Sequence, residues 1–324
     1  PGSWWSDTNV FIWVAIRRPD GLVGKPAEAG TDSFAMDTGS NNPPNSFDSA
    51  FPVGMAFYKS PDGGGDDWYT SARLMTKRLV ALNTTAAEFS NTDTTFDSNV
   101  GWNSNNMASS QQSWMWKRGA GLDVVCYKGT GVAGKQIKHS LGQIPEMIWL
   151  KARGSGEPWP VYHKGLNGGT NPQNYYLQLN TSQAESEFIG TFNNYAPTAL
   201  AFEVGYHGWV NTSGNQYLAL LFASVEGISK CGYYAGSNSA QTITTGFQPR
   251  FLIIKNITDA RNWTVLDTTR GWASGNDCRL FLDLDESQIC TSDVGAPTST
   301  GFTLTTGNQR WNIAGDTYIY YAHA

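Results

Sequence analysis

The sequence has 324 residues, of which 40% are hydrophobic, 13% aromatic and only 15% charged, with a net charge of −5. Such a chain is globular rather than disordered. Its acidic balance excludes the basic stripe with which a nucleic-acid binder neutralises phosphates, and no run of about 18 apolar residues offers a membrane-spanning helix.

The chain opens on residues that read as a tail. Trp4 and Trp5, followed by the apolar stretch 10–16, resemble the tryptophan turn and closing strand of a preceding module. Residues 17–32, rich in proline, glycine and charge, read as a linker. Pro1-Gly2-Ser3 reads as a cloning remnant. The stretch 10–16 carries Phe11 and Trp13 and needs burial. It can pack on the first complete module, pair with a second copy of the chain, or belong to that module outright.

Beyond the linker one pattern recurs. Leu141-Gly142-Gln143-Ile144-Pro145-Glu146-Met147-Ile148-Trp149-Leu150-Lys151 has counterparts in Gly246-Phe247-Gln248-Pro249-Arg250-Phe251-Leu252-Ile253-Ile254-Lys255 and Ala50-Phe51-Pro52-Val53-Gly54-Met55-Ala56-Phe57-Tyr58-Lys59. A polar loop and a tryptophan follow each time: Trp68, Trp159 and Trp263, at 16, 14 and 14 residues from the proline. Next come a strand and turn beginning at Leu82-Asn83, Leu179-Asn180 and Leu284-Asp285, then Phe96, Phe202 and Phe302, then Trp102, Trp209 and Trp311. A closing apolar strand ends each copy, at 113–118, 217–224 and 318–324. The landmarks keep intervals of 91 to 107 residues. Agreement in order and spacing across several features marks an internal repeat.

Three modules follow, at 33–120, 121–227 and 228–324, with 1–32 as the tail and linker. Each packs seven or eight short strands into about a hundred residues, as antiparallel β-sandwiches do. The expected fold class is all-β, three tandem sandwich modules of a jelly-roll-like kind, with at most one helical turn, at residues 181–188. The hairpin loops 60–67, 152–158 and 256–261 differ in length and sequence, as solvent loops do.

Few residues suggest chemistry. His139, His163, His207 and His323 share no repeated position and read as scattered surface histidines. No CxxC pair, P-loop, GxSxG or HExxH pattern occurs, so no metal, cofactor or catalytic set is expected. Asp62-Gly63-Gly64-Gly65-Asp66-Asp67 lacks the spacing of an EF-hand and reads as a solvated turn. Asp283 and Asp285 share one side of a strand, but the repeat places Asn83 and Asn180 opposite Asp285, so no acid pair is carried. Cys278 and Cys290 pair if the segment between them closes as a hairpin. Otherwise they are free small core residues, the reading the sequence favours. Lys59, Lys151 and Lys255 read as strand ends that snorkel to water. Trp68, Trp159 and Trp263 read as core. Trp102, Trp209 and Trp311 fall in a turn where a half-exposed ring could stack on a sugar. Tyr206, His207 and Trp209 form the most sugar-site-like cluster, and Trp272 in its glycine-flanked loop is next.

Several of these motifs together carry a resemblance. The Tyr127-Lys128-Gly129-Thr130-Gly131 turn, the Gly246-Phe247-Gln248-Pro249 turn before an apolar strand, Trp263-Thr264-Val265-Leu266-Asp267 and Gly315-Asp316-Thr317-Tyr318 resemble the tandem repeats of large fibre and tail-associated proteins of marine tailed phages, notably cyanophages. The opening Phe11-Ile12-Trp13-Val14-Ala15-Ile16-Arg17-Arg18-Pro19 is similar to their inter-module junctions. The likeness covers nearly the whole chain, strongest in the third module and weakest in the first, where Ala50-Phe51-Pro52 replaces the glycine turn. It implies an extracellular component of the virion surface, often homotrimeric with other fibre subunits, and it brings no catalytic residues. Two functions are therefore expected to compete. One is a structural and adhesive fibre segment that presents loops to a host glycan or receptor. The other is a set of carbohydrate-binding modules belonging to a glycan depolymerase or hydrolase.

Overall fold

The computed structural model describes residues 27–40, 45–75, 77–104, 110–119 and 121–324. The strand expected at 10–16, Trp4, Trp5, the first three residues and most of the linker lie outside them.

The chain is all-β, built as three tandem antiparallel β-sandwich modules. Module 1 carries β1 (Phe34–Thr38), β2 (Phe47–Asp48), β3 (Met55–Lys59), β4 (Tyr69–Ala72), β5 (Arg78–Ala81), β6 (Phe89–Ser90), β7 (Gly101–Trp102) and β8 (Gln112–Trp116). Module 2 carries β9 (Leu122–Lys128), β10 (Lys135–Lys138), β11 (Met147–Ala152), β12 (Pro160–His163), β13 (Tyr175–Gln178), β14 (Ser186–Glu187), β15 (Ala201–Val204) and β16 (Gln216–Phe222), with the one-turn helix α1 (Gly208–Asn211) before its last strand. Module 3 carries β17 (Ser229–Ala235), β18 (Gln241–Thr244), β19 (Phe251–Asn256), β20 (Thr264–Asp267), β21 (Asp277–Phe281), β22 (Ile289–Ser292), β23 (Pro297–Thr298), β24 (Gly301–Leu304) and β25 (Thr317–His323). No helix among the described residues is long and apolar enough to cross a membrane. The helical turn expected at 181–188 is absent; that stretch supplies β14 instead.

In every module six strands form a large sheet in the same order: β1-β8-β3-β4-β5-β6, β9-β16-β11-β12-β13-β14 and β17-β25-β19-β20-β21-β22. The smaller sheets β2-β7, β10-β15 and β18-β24-β23 pack on one face and enclose a core private to each module. The opposite faces of all three large sheets meet in one shared core, where Phe57, Trp68, Trp149, Trp159, Phe251 and Trp263 belong to a single cluster. This explains two strand patterns. β11 and β19 are buried at every position because their sheets are covered on both faces. β10 alternates because its outer face meets water, leaving Ile137 buried between exposed Gln136 and Lys138.

The modules do not line up as a linear array. They close in a ring. Trp68 Nε1 of module 1 donates to Phe281 O of module 3 at 2.8 Å, Trp159 Nε1 of module 2 to Ala81 O of module 1 at 2.9 Å, and Trp263 Nε1 of module 3 to Gln178 O of module 2 at 3.1 Å. The repeated lysines do the same work one step further along. Lys59 donates to Asp285 O at 2.9 Å, Lys151 to Thr85 O at 2.8 Å and Lys255 to Ser182 O at 3.0 Å. Each ammonium also donates to a carbonyl of its own hairpin loop, Asp66, Glu157 or Arg261, and sits about 6 Å from the centre of the following tryptophan ring.

This geometry corrects the expectation that the lysines reach water: all three are fully buried. Burial pulls Lys255 down to about 7 and Lys151 to about 8. The hairpin loops are corrected with them. They are joints between modules, although their tips stay exposed. Gly65 N bonds Asp285 O, Gln288 N bonds Pro61 O, Glu88 N bonds Arg153 O and Glu185 N bonds Ile257 O.

The bonds also reset the repeat register. Leu82 N, Leu179 N and Leu282 N bond to Trp68 O, Trp159 O and Trp263 O, so Leu282, not Leu284, is the third copy. Asn83, Asn180 and Asp283 then play one part, each accepting the tryptophan N–H through a side-chain oxygen at 2.9–3.0 Å. In module 1, Ala50 holds φ 63°, where module 3 has Gly246 at 93°, so the turn survives the substitution of its glycine.

Cys278 and Cys290 are joined by a disulfide, correcting the expectation of two free core thiols. β21 and β22 pair as a hairpin and bring them together, and Cys290 is exposed. Replacing both by serine reopens a short loop in the unfolded chain and should lower the unfolding free energy by about 2–3 kcal/mol. Urea unfolding of the wild type under oxidising and reducing conditions checks the same quantity without a mutation.

Candidate functional site

Tyr206, His207 and Trp209 lie together on the surface of module 2, at the turn that leads into α1. His207 is the N-cap of that helix, and its Nδ1 accepts the Trp209 N–H at 3.3 Å, which fixes the imidazole. The His207 and Trp209 rings are 4.2 Å apart. Two residues that the sequence reading passed over complete the cluster. Phe188 lies 5.2 Å from His207, 6.2 Å from Tyr206 and 6.3 Å from Trp209, and Tyr176 lies 5.5 Å from Trp209. The pairing of Tyr176 with Ser186 across β13 and β14 brings Phe188 to this place. Tyr206 is 55% exposed, and the other four rings are half-buried.

The surroundings are polar. Asn174 O accepts the Phe188 N–H at 2.8 Å, and the buried Asn174 Oδ1 has no partner among the described residues. A half-exposed aromatic face of this kind suits stacking on the apolar face of a ligand.

The other tryptophans are elsewhere. Trp272 is buried in the private core of module 3, where its Nε1 donates to Gly295 O at 2.8 Å. It offers no face to a ligand, which corrects its place among the site residues. Trp102 and Trp311 are buried too. Trp102 pairs with Phe47 as Phe202 pairs with Ile137 and Phe302 with Ile243, so it corresponds to those phenylalanines. Tyr127 Oη bonds Val210 O and Tyr234 Oη bonds Trp311 O, so Trp311 corresponds to Val210. Trp209 therefore has no tryptophan counterpart in module 3, and one residue of offset turns it outward.

The histidines also divide. His163 and His323 are buried, contrary to the surface reading, and burial holds both down to about 3. Among the described residues no three His, Cys, Asp or Glu side chains gather as metal ligands. The Asp62 loop is engaged at a joint, where Asp62 Oδ1 accepts from Gln288 Nε2 at 2.9 Å.

A concavity of about 440 Å³ lies between modules 1 and 2 and is lined by Leu74, Arg118, Cys126, Lys138, His139 and Ser140. Strand pairing makes Cys126 the counterpart of Tyr233. Tyr233 lies so close to Gly165 that a Cβ there would meet it at 2.6 Å. Cysteine in place of that ring leaves this cleft open. Its polar groups are largely spent: Arg118 pairs with Asp123 at 2.5 Å and bonds Ser140 at 3.1 Å, and both ring nitrogens of His139 face chain partners.

A family model described as a domain of unknown function, DUF7483, matches residues 67–324, and the chain belongs to that family. No curated protein matches the chain.

Proposed function

We propose that this member of a family without an assigned activity is a structural and adhesive component of an extracellular assembly. On this reading it is a segment of a fibre or tail-associated protein of a phage virion. It presents Tyr206, His207 and Trp209, with Phe188 and Tyr176, to a glycan of the host surface. The observation that carries the adhesive part is this five-ring face, left half-exposed on module 2 while Trp102, Trp272 and Trp311 are buried. The sequence resemblance supports the virion setting. Ring closure supports the structural role, since three modules locked through buried tryptophans and lysines form a stiff platform. A single chain then supplies a three-fold arrangement that fibres commonly assemble from three copies.

A glycan array probed with the wild type and with Trp209→Ala tests the adhesive part. Wild type should retain a subset of glycans, and Trp209→Ala should weaken them by about tenfold or more, as loss of a central aromatic anchor does. Its melting curve should change little, because the ring is only half-buried. Equal retention by both proteins would remove the aromatic face from the binding site. Release of reducing ends from a bound glycan would favour the depolymerase instead.

A further inference from the structure

Module 3 departs from module 2 at the place where module 2 carries its aromatic face. Val161 pairs with Leu177 across β12 and β13, and Val265 pairs with Leu280 across β20 and β21. The residue before the leucine is Tyr176 in one module and Arg279 in the other. Asn211 and Asn312 likewise make matching bonds. The side-chain oxygen accepts Thr130 N at 2.8 Å or Ser237 N at 2.9 Å, and the amide donates to two carbonyls. Two residues before them stand Trp209 and Arg310. The tyrosine and tryptophan of module 2 are thus a pair of arginines in module 3.

Both guanidiniums are held over aromatic rings. Arg279 lies 5.8 Å from the centre of Trp311, and Arg310 lies 5.5 Å from that of Phe281. Arg279 is only 7% exposed, and its Nε and Nη1 have no hydrogen-bond partner among the described residues. Nε of Arg310 and Nε1 of Trp311 are likewise without one. Burial lowers the Arg279 pKa, and the adjacent Arg310 charge lowers it further than the nearby Asp277 raises it. Asp277 is already occupied, since its two oxygens accept the backbone N–H groups of Ala273, Val294 and Gly295. Two like charges with spare donors thus stand side by side in a protein of net charge −5. A buried cation with unused N–H groups is costly unless something negative completes it.

We propose that Arg279 and Arg310 form a binding site for a small oxyanion: a sulfate, phosphate or carboxylate group, free or borne by a saccharide. Arginine presents a planar fork of donors that matches such groups in a bidentate manner. The rings of Trp311 and Phe281 keep the two forks in place, so little side-chain freedom is lost on binding. The site rests on module 3 alone and is independent of the aromatic face of module 2.

Isothermal titration of the wild type with sodium sulfate, sodium phosphate and sodium glucuronate, each against sodium chloride at equal ionic strength, tests it. At least one oxyanion should bind saturably and chloride should not. Arg310→Ala should weaken that binding by about tenfold or more, as loss of a charge-assisted hydrogen bond does. Arg310→Lys should fall between the two, keeping the charge and losing the fork. Arg310 is the residue to change because it is only half-buried, whereas the buried Arg279 risks the fold. Preference for sulfate or phosphate would assign a tetrahedral anion, and preference for glucuronate a uronic acid. Absence of saturable binding by all three, or identical isotherms for wild type and Arg310→Ala, would overturn the proposal.

Discussion

Trp263→Ala should lower the unfolding free energy by about 3–5 kcal/mol, and Trp159→Ala by a similar amount. Both rings are essentially unexposed in the core that the three large sheets share. Truncation leaves a cavity there, and the surrounding strands are paired on both sides and can collapse into it only in part. It also removes a hydrogen bond between modules. Gln178 O loses the Trp263 Nε1–H, and Ala81 O loses that of Trp159. Trp263→Phe separates the two effects, since it keeps most of the ring and removes the N–H. It should cost distinctly less than alanine. Urea unfolding followed by circular dichroism measures all three variants. An unchanged midpoint for Trp263→Ala would contradict the shared core.

Acid should unfold the protein over a defined window, and this effect is comparable in size. His163 and His323 are buried as neutral rings, with desolvation as the main cause and the charges of Lys164 and Arg250 adding to it. Gly165 N donates to His163 Nδ1 at 3.0 Å, a bond that requires that nitrogen unprotonated. The folded values near 3 lie below the ordinary histidine value of about 6.5. Between these limits the unfolded chain binds protons that the folded chain does not, so stability falls as pH falls from 6.5 toward 3. The slope reaches about 1.4 kcal/mol per pH unit for each histidine. Urea midpoints at pH 7, 6, 5 and 4 should therefore drop steadily, and His323→Phe should flatten the decline. A midpoint constant from pH 7 to pH 4 would show that the rings titrate normally.

What the sequence made legible was local. The strand runs, the tryptophan after each hairpin and the threefold repeat follow from spacing alone, because a strand buried on both faces reads the same in isolation. The lysines were misread for a complementary reason. At the end of an apolar strand a lysine ordinarily reaches water, and nothing within one module says that another module's carbonyls wait there. Lys255 finds Ser182 O only because module 3 packs on module 2. The same gap made the hairpin loops look free. Register failed by small offsets where a common residue type recurred by coincidence. Leu284 stood in for Leu282, and Trp311, which corresponds to Val210, stood in for Arg310 as the match to Trp209. That second offset hid the most useful contrast in the candidate site, since Trp209 corresponds to Arg310 and not to another tryptophan. Phe188 was out of reach because it joins the cluster through a two-residue strand, too short to show a period.

Closure of the ring sets a condition on how the protein is made. The Trp68 indole meets a carbonyl 213 residues further along the chain, and Lys59 meets one 226 residues away. During translation the first module is made long before module 3 exists, so the side chains it contributes to the shared core lack that partner. Contacts this distant in sequence slow folding, and they leave apolar surface open to aggregation in the interval. The shared core is complete only once β25 has formed, since that strand sits between β17 and β19 and its Tyr321 Oη accepts the Nε1–H of Trp116 in module 1 at 3.2 Å.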